Sequence, residues 1–269
     1  MEQSADGLLD RRAVGLETRF FTDTASVFTL VDYDLYHEVL NTTYVMANLR
    51  FGDGWSTYAN LDHRRSPYIT TENALIGQGM NNLGDLEHSY TNSQIQQLAD
   101  DRTAELTLAS LGLDKQVTQR LQIGTDFAYS DYSETPASGD VSATPARQDY
   151  YYSLRFRADE IFGTGTYSAL YLRYGTGPDS DVSSVYWTNR FTVRNLWHVY
   201  PRVRVDYRDF SDLSQTQWTL APSLLVDYQP RRGMYFELEA GYDETQRQMT
   251  AQDMKIVGYY VRFGYRSLF

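Results

Sequence analysis

Tyr200-Pro-Arg-Val-Arg-Val-Asp-Tyr-Arg208 decides how the chain is read. Successive side chains of a strand point to opposite sides, so Val203, Val205 and Tyr207 would share an apolar face while Arg202, Arg204, Asp206 and Arg208 share an ionic one. The pattern recurs. Leu154, Phe156 and Ala158 alternate with Arg155, Arg157 and Asp159, and Phe236, Leu238, Ala240 and Tyr242 alternate with Glu237, Glu239, Gly241 and Asp243. Near the end Tyr259, Val261, Phe263, Tyr265 and Phe269 fall on one face, Gly258, Arg262, Gly264 and Arg266 on the other.

About twelve such segments follow one another, near 27–38, 42–51, 56–66, 104–115, 119–132, 149–160, 165–175, 183–194, 200–210, 216–228, 233–244 and 255–269. A soluble sandwich also alternates, but its strands usually have about 5 or 6 residues. These are longer, and tilted strands of roughly 9 to 11 residues cross a bilayer. Aromatics at segment ends, among them Tyr33, Trp55, Tyr129, Trp187, Tyr228 and Tyr242, suit interfacial girdles, which gives the excess of 23 tyrosines a cause. Short connectors at 52–55, 116–118, 161–164, 195–199 and 229–232 interleave with longer ones at 67–103, 133–148, 176–182, 211–215 and 245–254, with 39–41 the exception. This parity predicts an even strand count and both chain ends on the periplasmic side. The expected fold is all-β: a transmembrane antiparallel up-and-down β-barrel of about twelve strands, with fourteen the alternative. Residues 1–26 read as an N-terminal periplasmic leader or, through Leu16–Phe21, a short extra strand. The barrel would occupy 27–269, with a long helical outer loop at 67–103.

Composition removes competing classes. The longest uncharged run, Leu213–Val226, is too short for the ~18 to 20 apolar residues of a membrane-spanning helix. Aromatics at 14% are too many for a chain unable to bury surface. A net charge of −11 would repel a phosphate backbone, so no nucleic-acid partner is expected. With no cysteine there is no disulfide framework and no thiolate metal site. Met1–Gly7 has no basic stretch followed by an apolar one, so an exported protein would have lost its signal or this would be part of a longer chain.

The final stretch, Gly258-Tyr-Tyr-Val-Arg-Phe-Gly-Tyr-Arg-Ser-Leu-Phe269, resembles the terminal strand of bacterial outer-membrane β-barrels. That resemblance implies that Tyr259, Val261, Phe263, Tyr265 and Phe269 form the signal read by the barrel-assembly machinery. Leu61-Asp-His-Arg-Arg-Ser-Pro-Tyr-Ile-Thr-Thr-Glu-Asn-Ala-Leu-Ile-Gly-Gln78, followed by 94–103, resembles the C-terminal barrel portion of large tetratricopeptide-repeat outer-membrane proteins of proteobacteria. It implies helical repeats on the periplasmic side, as a domain or partner protein, and a role with a cell-surface polymer.

The ionic positions form the largest polar constellation. Asp32, Asp34, Arg155, Arg157, Arg173, Arg190, Arg194, Arg202, Arg204, Asp206, Asp227, Glu237, Glu239, Arg262 and Arg266 are expected to line the lumen, with closure bringing Asp32 and Asp34 beside the last strand. They act either as a selectivity lining or as an interior held by mutual ion pairs. In the long connector, Thr91 or Asn92 can cap a helix through Asp101 in which Ile95, Leu98 and Ala99 make an apolar stripe. A stripe that must be covered reads as a plug or lid over the lumen, or as a cap on the barrel rim.

Enzyme chemistry finds little. His37, His63, His88 and His198 are scattered without paired metal-ligand spacing, and Asp62-His63-Arg64-Arg65 reads as a solvated rim rather than part of a hydrolase site. Asp179 and Asp181 read as a solvated turn rather than a calcium site. No catalytic residue, metal or cofactor is expected. The functional expectation is a protein of the bacterial outer membrane that serves as membrane anchor or export conduit for a periplasmic repeat domain. A passive small-solute channel is the alternative, and a rim-located lipid hydrolase the third reading. The expected partners are outer-membrane lipid and lipopolysaccharide, the barrel-assembly machinery and the repeat domain.

Overall fold

The computed structural model describes residues 2–3, 9–194, 196–211, 214–231, 233–249 and 253–267. Phe269 of the expected assembly signal lies outside them. The strands are β1 (Glu2–Gln3), β2 (Leu9–Arg11), β3 (Ala13–Phe21), β4 (Ala25–Asp34), β5 (Val39–Phe51), β6 (Trp55–Ser66), β7 (Ala104–Gln116), β8 (Leu121–Tyr132), β9 (Arg147–Asp159), β10 (Tyr167–Thr176), β11 (Ser180–Val193), β12 (Trp197–Phe210), β13 (Gln215–Arg231), β14 (Met234–Gln248) and β15 (Met254–Ser267). Between β6 and β7 lie a 3-10 helix (Thr71–Leu75), α1 (Leu83–Glu87) and α2 (Asn92–Asp101). β1 pairs with β2, while β3 to β15 form an up-and-down antiparallel sheet of thirteen strands in sequence order.

Thirteen is one more than the twelve segments read from the sequence, and it is odd where the connectors predicted an even count. The added strand is β3. Its alternation is weak, because Thr18 interrupts the apolar set Val14, Leu16 and Phe20, and Phe21 follows Phe20 on the opposite face. Pairing with β4 in the register Leu16↔Val31 and Phe20↔Val27 makes it a strand, so tertiary context supplies what local pattern lacks.

Contacts divide the chain into two compact units. One comprises Met1–Phe51, Ser56–Gly112 and Ala128–Tyr150. In it the connector helices build a small core of Ala74, Leu83, Leu86, Ile95 and Ala99, with Leu98 packed at its edge. α2 starts on a capping box in which Thr91 and Gln94 satisfy each other's backbone N–H groups. The stripe Ile95, Leu98 and Ala99 is thus covered by the connector's own turns.

The second unit comprises Gly52–Trp55, Leu113–Phe127 and Tyr151–Phe269. Across β12 and β13 one face reads, pair by pair, Trp197↔Tyr228, Val199↔Val226, Pro201↔Leu224, Val203↔Pro222, Val205↔Leu220 and Tyr207↔Trp218. Four apolar pairs are bracketed by an aromatic pair at each end. The lower row continues through stacked Tyr228 and Phe236 to Tyr265. Trp187, read as an end-of-segment aromatic, falls opposite Val203, inside the apolar run.

Of the nine buried apolar side chains among the described residues, six lie in the connector, Ile69, Ala74, Leu83, Leu86, Ile95 and Ala99. The strands contribute only Leu106, Ala158 and Ala169, while Val261 and Phe263 are 73% and 72% exposed. Exposed apolar rows this extensive mark a surface meant for something other than water.

Candidate functional site

The ionic face of the second unit is the largest polar feature. Direct pairing keeps residues on one side of a sheet, and the rows Arg202–Ser223, Tyr186–Arg204–Ala221 and Arg208–Gln217, with Glu239 and Tyr260, line a concavity of about 720 Å³. Arg202 Nη1 lies 3.4 Å from Glu239 Oε1, to which the Tyr260 hydroxyl also donates at 3.2 Å. Arg262 stacks on the Tyr260 ring, 4.8 Å from its centroid. Tyr260 can lie flat because its cross-strand neighbour is Gly241, where a Cβ would strike the ring. Arg204 Nε pairs with Asp206 at 3.0 Å, and Arg266 Nη2 with Glu237 at 3.9 Å.

A denser knot joins β7, β8 and β9. Arg155 sets Nε 2.9 Å from Asp126 and Nη2 3.2 Å from Asp114, so one guanidinium holds two carboxylates. Asp114 and Arg155 belong to β7 and β9, and Gly124 of the intervening β8 lies beneath their contact. A Cβ on Gly124 would meet both side chains.

The remaining predicted residues fall out unevenly. Arg157 stacks on Tyr167 and Arg173 on Tyr151, at 5.1 and 4.3 Å from the ring centroids. Arg190 stands opposite Tyr167, and Asp227 opposite Glu237. Arg194 is not part of the wall: it sits in the turn after β11 with φ 52°. Its alternation with Arg190 suggested a longer strand than the turn allows.

In the first unit Asp32 and Asp34 are both held by Arg11, a residue outside the predicted set. Asp34 is fully buried, and its Oδ1 accepts from the backbone N–H groups of Tyr36 and His37 at 2.7 and 3.0 Å, closing the turn between β4 and β5. Burial holds the His37 imidazole below its ordinary value, opposed by the Asp34 charge and then by Asp10. The connector is tied to the same place. Thr71 Oγ1 donates to the Leu9 carbonyl at 3.0 Å, the Glu72 N–H to Asp10 at 3.1 Å, and Gln96 to the Tyr36 carbonyl at 3.4 Å.

His63 Nδ1 is 2.8 Å from Thr107 Oγ1 on the adjacent strand. The carboxylates of Asp100 and Glu105 are engaged by Arg65, at 2.5 and 3.0 Å, and among the described residues none is paired with His63. Asp114, Asp126, Tyr260 and Arg11 were missed in the sequence. The first two carry an alternation signal within their strands, but their convergence on Arg155 depends on inter-strand register.

No protein-family model matches the chain, and no curated protein does. Among solved structures it is similar to in-vitro folded OmpT, an outer membrane protein of Vibrio cholerae, with TM-score 0.45 and 9% identity over 96% of this chain and 89% of that one. The trimer form of OmpT gives TM-score 0.45 and 9% identity, covering 96% and 91%, and its loop L8 deletion mutant gives 0.42 and 9%, covering 95% and 89%.

Proposed function

We propose that the chain is the membrane-embedded β-barrel of a bacterial outer-membrane protein, with the apolar rows against lipid and the ionic face lining a hydrophilic interior. The band between the Trp197–Tyr228 and Tyr207–Trp218 pairs carries this reading. Ten residues separate Trp197 from Tyr207. At ~3.3 Å per residue and a tilt near ~40° that is about 25 Å of depth, the height of the apolar band of outer-membrane barrels. In water the same rows would be a large apolar patch.

Within that reading the barrel anchors, or forms the conduit for, a periplasmic repeat domain or protein, with a cell-surface polymer as cargo. The 61–78 and 94–103 stretches support this through their resemblance to barrels of tetratricopeptide-repeat proteins. The barrel is not assigned an enzyme activity. A passive small-solute channel is the second reading, favoured by the charge-lined concavity.

The membrane assignment is tested by spin labels at Val205 and Arg204 in the protein refolded into liposomes. The label at Val205 should be relaxed by oxygen dissolved in lipid, and that at Arg204 by a water-soluble nickel chelate. Reversed or identical accessibilities would overturn the assignment.

A further inference from the structure

Several arginines of the ionic face are compensated by carboxylates, and Arg157, Arg173 and Arg262 each rest on a tyrosine ring of their own. Arg155, Arg202, Arg204 and Arg266 each lie within ion-pair distance of a carboxylate. Arg208 and Arg247 have no carboxylate partner among the described residues. They occupy a single cross-strand row, Arg208↔Gln217 and Gln217↔Arg247, on β12, β13 and β14. With strands ~4.8 Å apart, their Cα atoms are about 10 Å apart, within the combined reach of two arginines. Both guanidinium carbons approach the same ring, 5.7 and 5.8 Å from the Phe210 centroid. Arg247 Nε and Nη2 donate to Gln217 Oε1 at 3.1 and 2.8 Å, which fixes that guanidinium and leaves its Nη1 uncommitted. Arg208 donates to no protein acceptor among the described residues.

Two like charges held beside one aromatic ring repel each other, and an anion between them turns that repulsion into attraction. A carboxylate has two oxygens and is satisfied by one arginine fork, whereas a phosphate group offers three or four oxygens and more negative charge, enough for two forks at once. Arg208 and Gln217 border the concavity of the ionic face, so a solute in that space reaches them. We propose that Arg208 and Arg247, with Gln217 as spacer and Phe210 as backing, form a clamp for the phosphate group of a solute on the hydrophilic face. The proposal deepens the conduit reading, on which its biological use rests, by naming phosphorylated solutes or polymers as cargo. The binding itself is measurable on the refolded protein in detergent.

Inorganic phosphate is titrated into the full chain in a maltoside detergent at constant ionic strength, with chloride as balancing anion. ³¹P line width and thermal unfolding are followed. Phosphate should broaden its resonance and raise Tm, and Arg208→Gln or Arg247→Gln should each weaken binding at least about tenfold. Arg208→Lys and Arg247→Lys should retain part of it. Arg120→Gln, in a turn remote in sequence and ion-paired to Glu160, should bind like the parent. Equal phosphate response in the parent and the double Gln variant, or equal loss in Arg120→Gln, would overturn the clamp. An Arg208-dependent response seen only when the phosphate is carried by phosphatidylglycerol in the micelle would overturn its assignment to a solute. None of these results bears on the spin-label test, so failure of the clamp and failure of the membrane reading are separable.

Discussion

Trp197 stacks on Tyr228 across β12 and β13 with ring centroids 4.3 Å apart and 26° between the planes. Ten residues along each strand Tyr207 faces Trp218, while Trp187 lies opposite Val203 between the two aromatic pairs. Single-tryptophan variants in vesicles carrying lipids brominated at graded depths should therefore report deepest quenching for Trp187 and shallow quenching for Trp197 and Trp218. Equal depth for all three would remove the band.

Gly124 lets Arg155 reach Asp114 over β8. Gly124→Ala should destabilise the protein by about 1 kcal/mol, because an added methyl meets the Asp114 carboxylate and the Arg155 guanidinium and pushes this half-buried pair apart. Urea unfolding followed by tryptophan fluorescence checks this. Asp114→Asn should cost less, since Asp126 still holds the guanidinium.

His37 titrates lower in the folded chain than in the unfolded one. Between the two values the unfolded chain binds more protons, so stability rises with pH. The contribution is full above ~6.5, the ordinary imidazole value, and is lost as pH falls toward the depressed folded value. Melting temperature measured from pH 7.5 down to 5 should fall for the parent, and the His37→Gln variant should show a flatter profile.

Leu86 is wholly buried in the connector core. Leu86→Ala should cost about 2–4 kcal/mol locally, loosening the connector rather than the strands. Limited chymotrypsin digestion should then cut within 67–103, after Tyr90 and the connector leucines, at a higher rate, with the β-sheet circular dichroism signal unchanged.

β15 carries Tyr259, Val261, Phe263 and Tyr265 on its apolar face, in register with Phe236, Leu238, Ala240 and Tyr242 of β14. Changing Phe263 and Tyr265 to Asp should leave unassembled chains, seen in cells as loss of the heat-modifiable folded band on gels. A normal folded band would show that this face is not read during assembly.

The strands were legible because a half-buried strand writes its two faces into every second residue. Alternation marks β12 over 200–210, whereas the strand starts at Trp197, and β14 over 233–244, whereas it runs on to Gln248. β3 was only half legible, since Thr18 breaks its pattern and pairing with β4 decides it. The stripe on α2 was legible, but its cover was not: Ala74, Leu83 and Leu86 lie in a stretch without periodicity, and only the folded path brings them to Ile95. The charged positions could be assigned to a face from one strand at a time. Their partners could not, because Asp114 meets Arg155 through register across three strands, and Arg11 reaches Asp32 and Asp34 from outside any alternating segment.

The flat lie of Tyr260 over Gly241, and of Arg155 over Gly124, means that residues without side chains decide where the charges of the ionic face stand. Any larger residue at either position would swing a guanidinium or a hydroxyl away from its carboxylate without adding or removing an ionisable group. The electric field along this surface can therefore be retuned by a single methyl group, with no change in the protein's net charge.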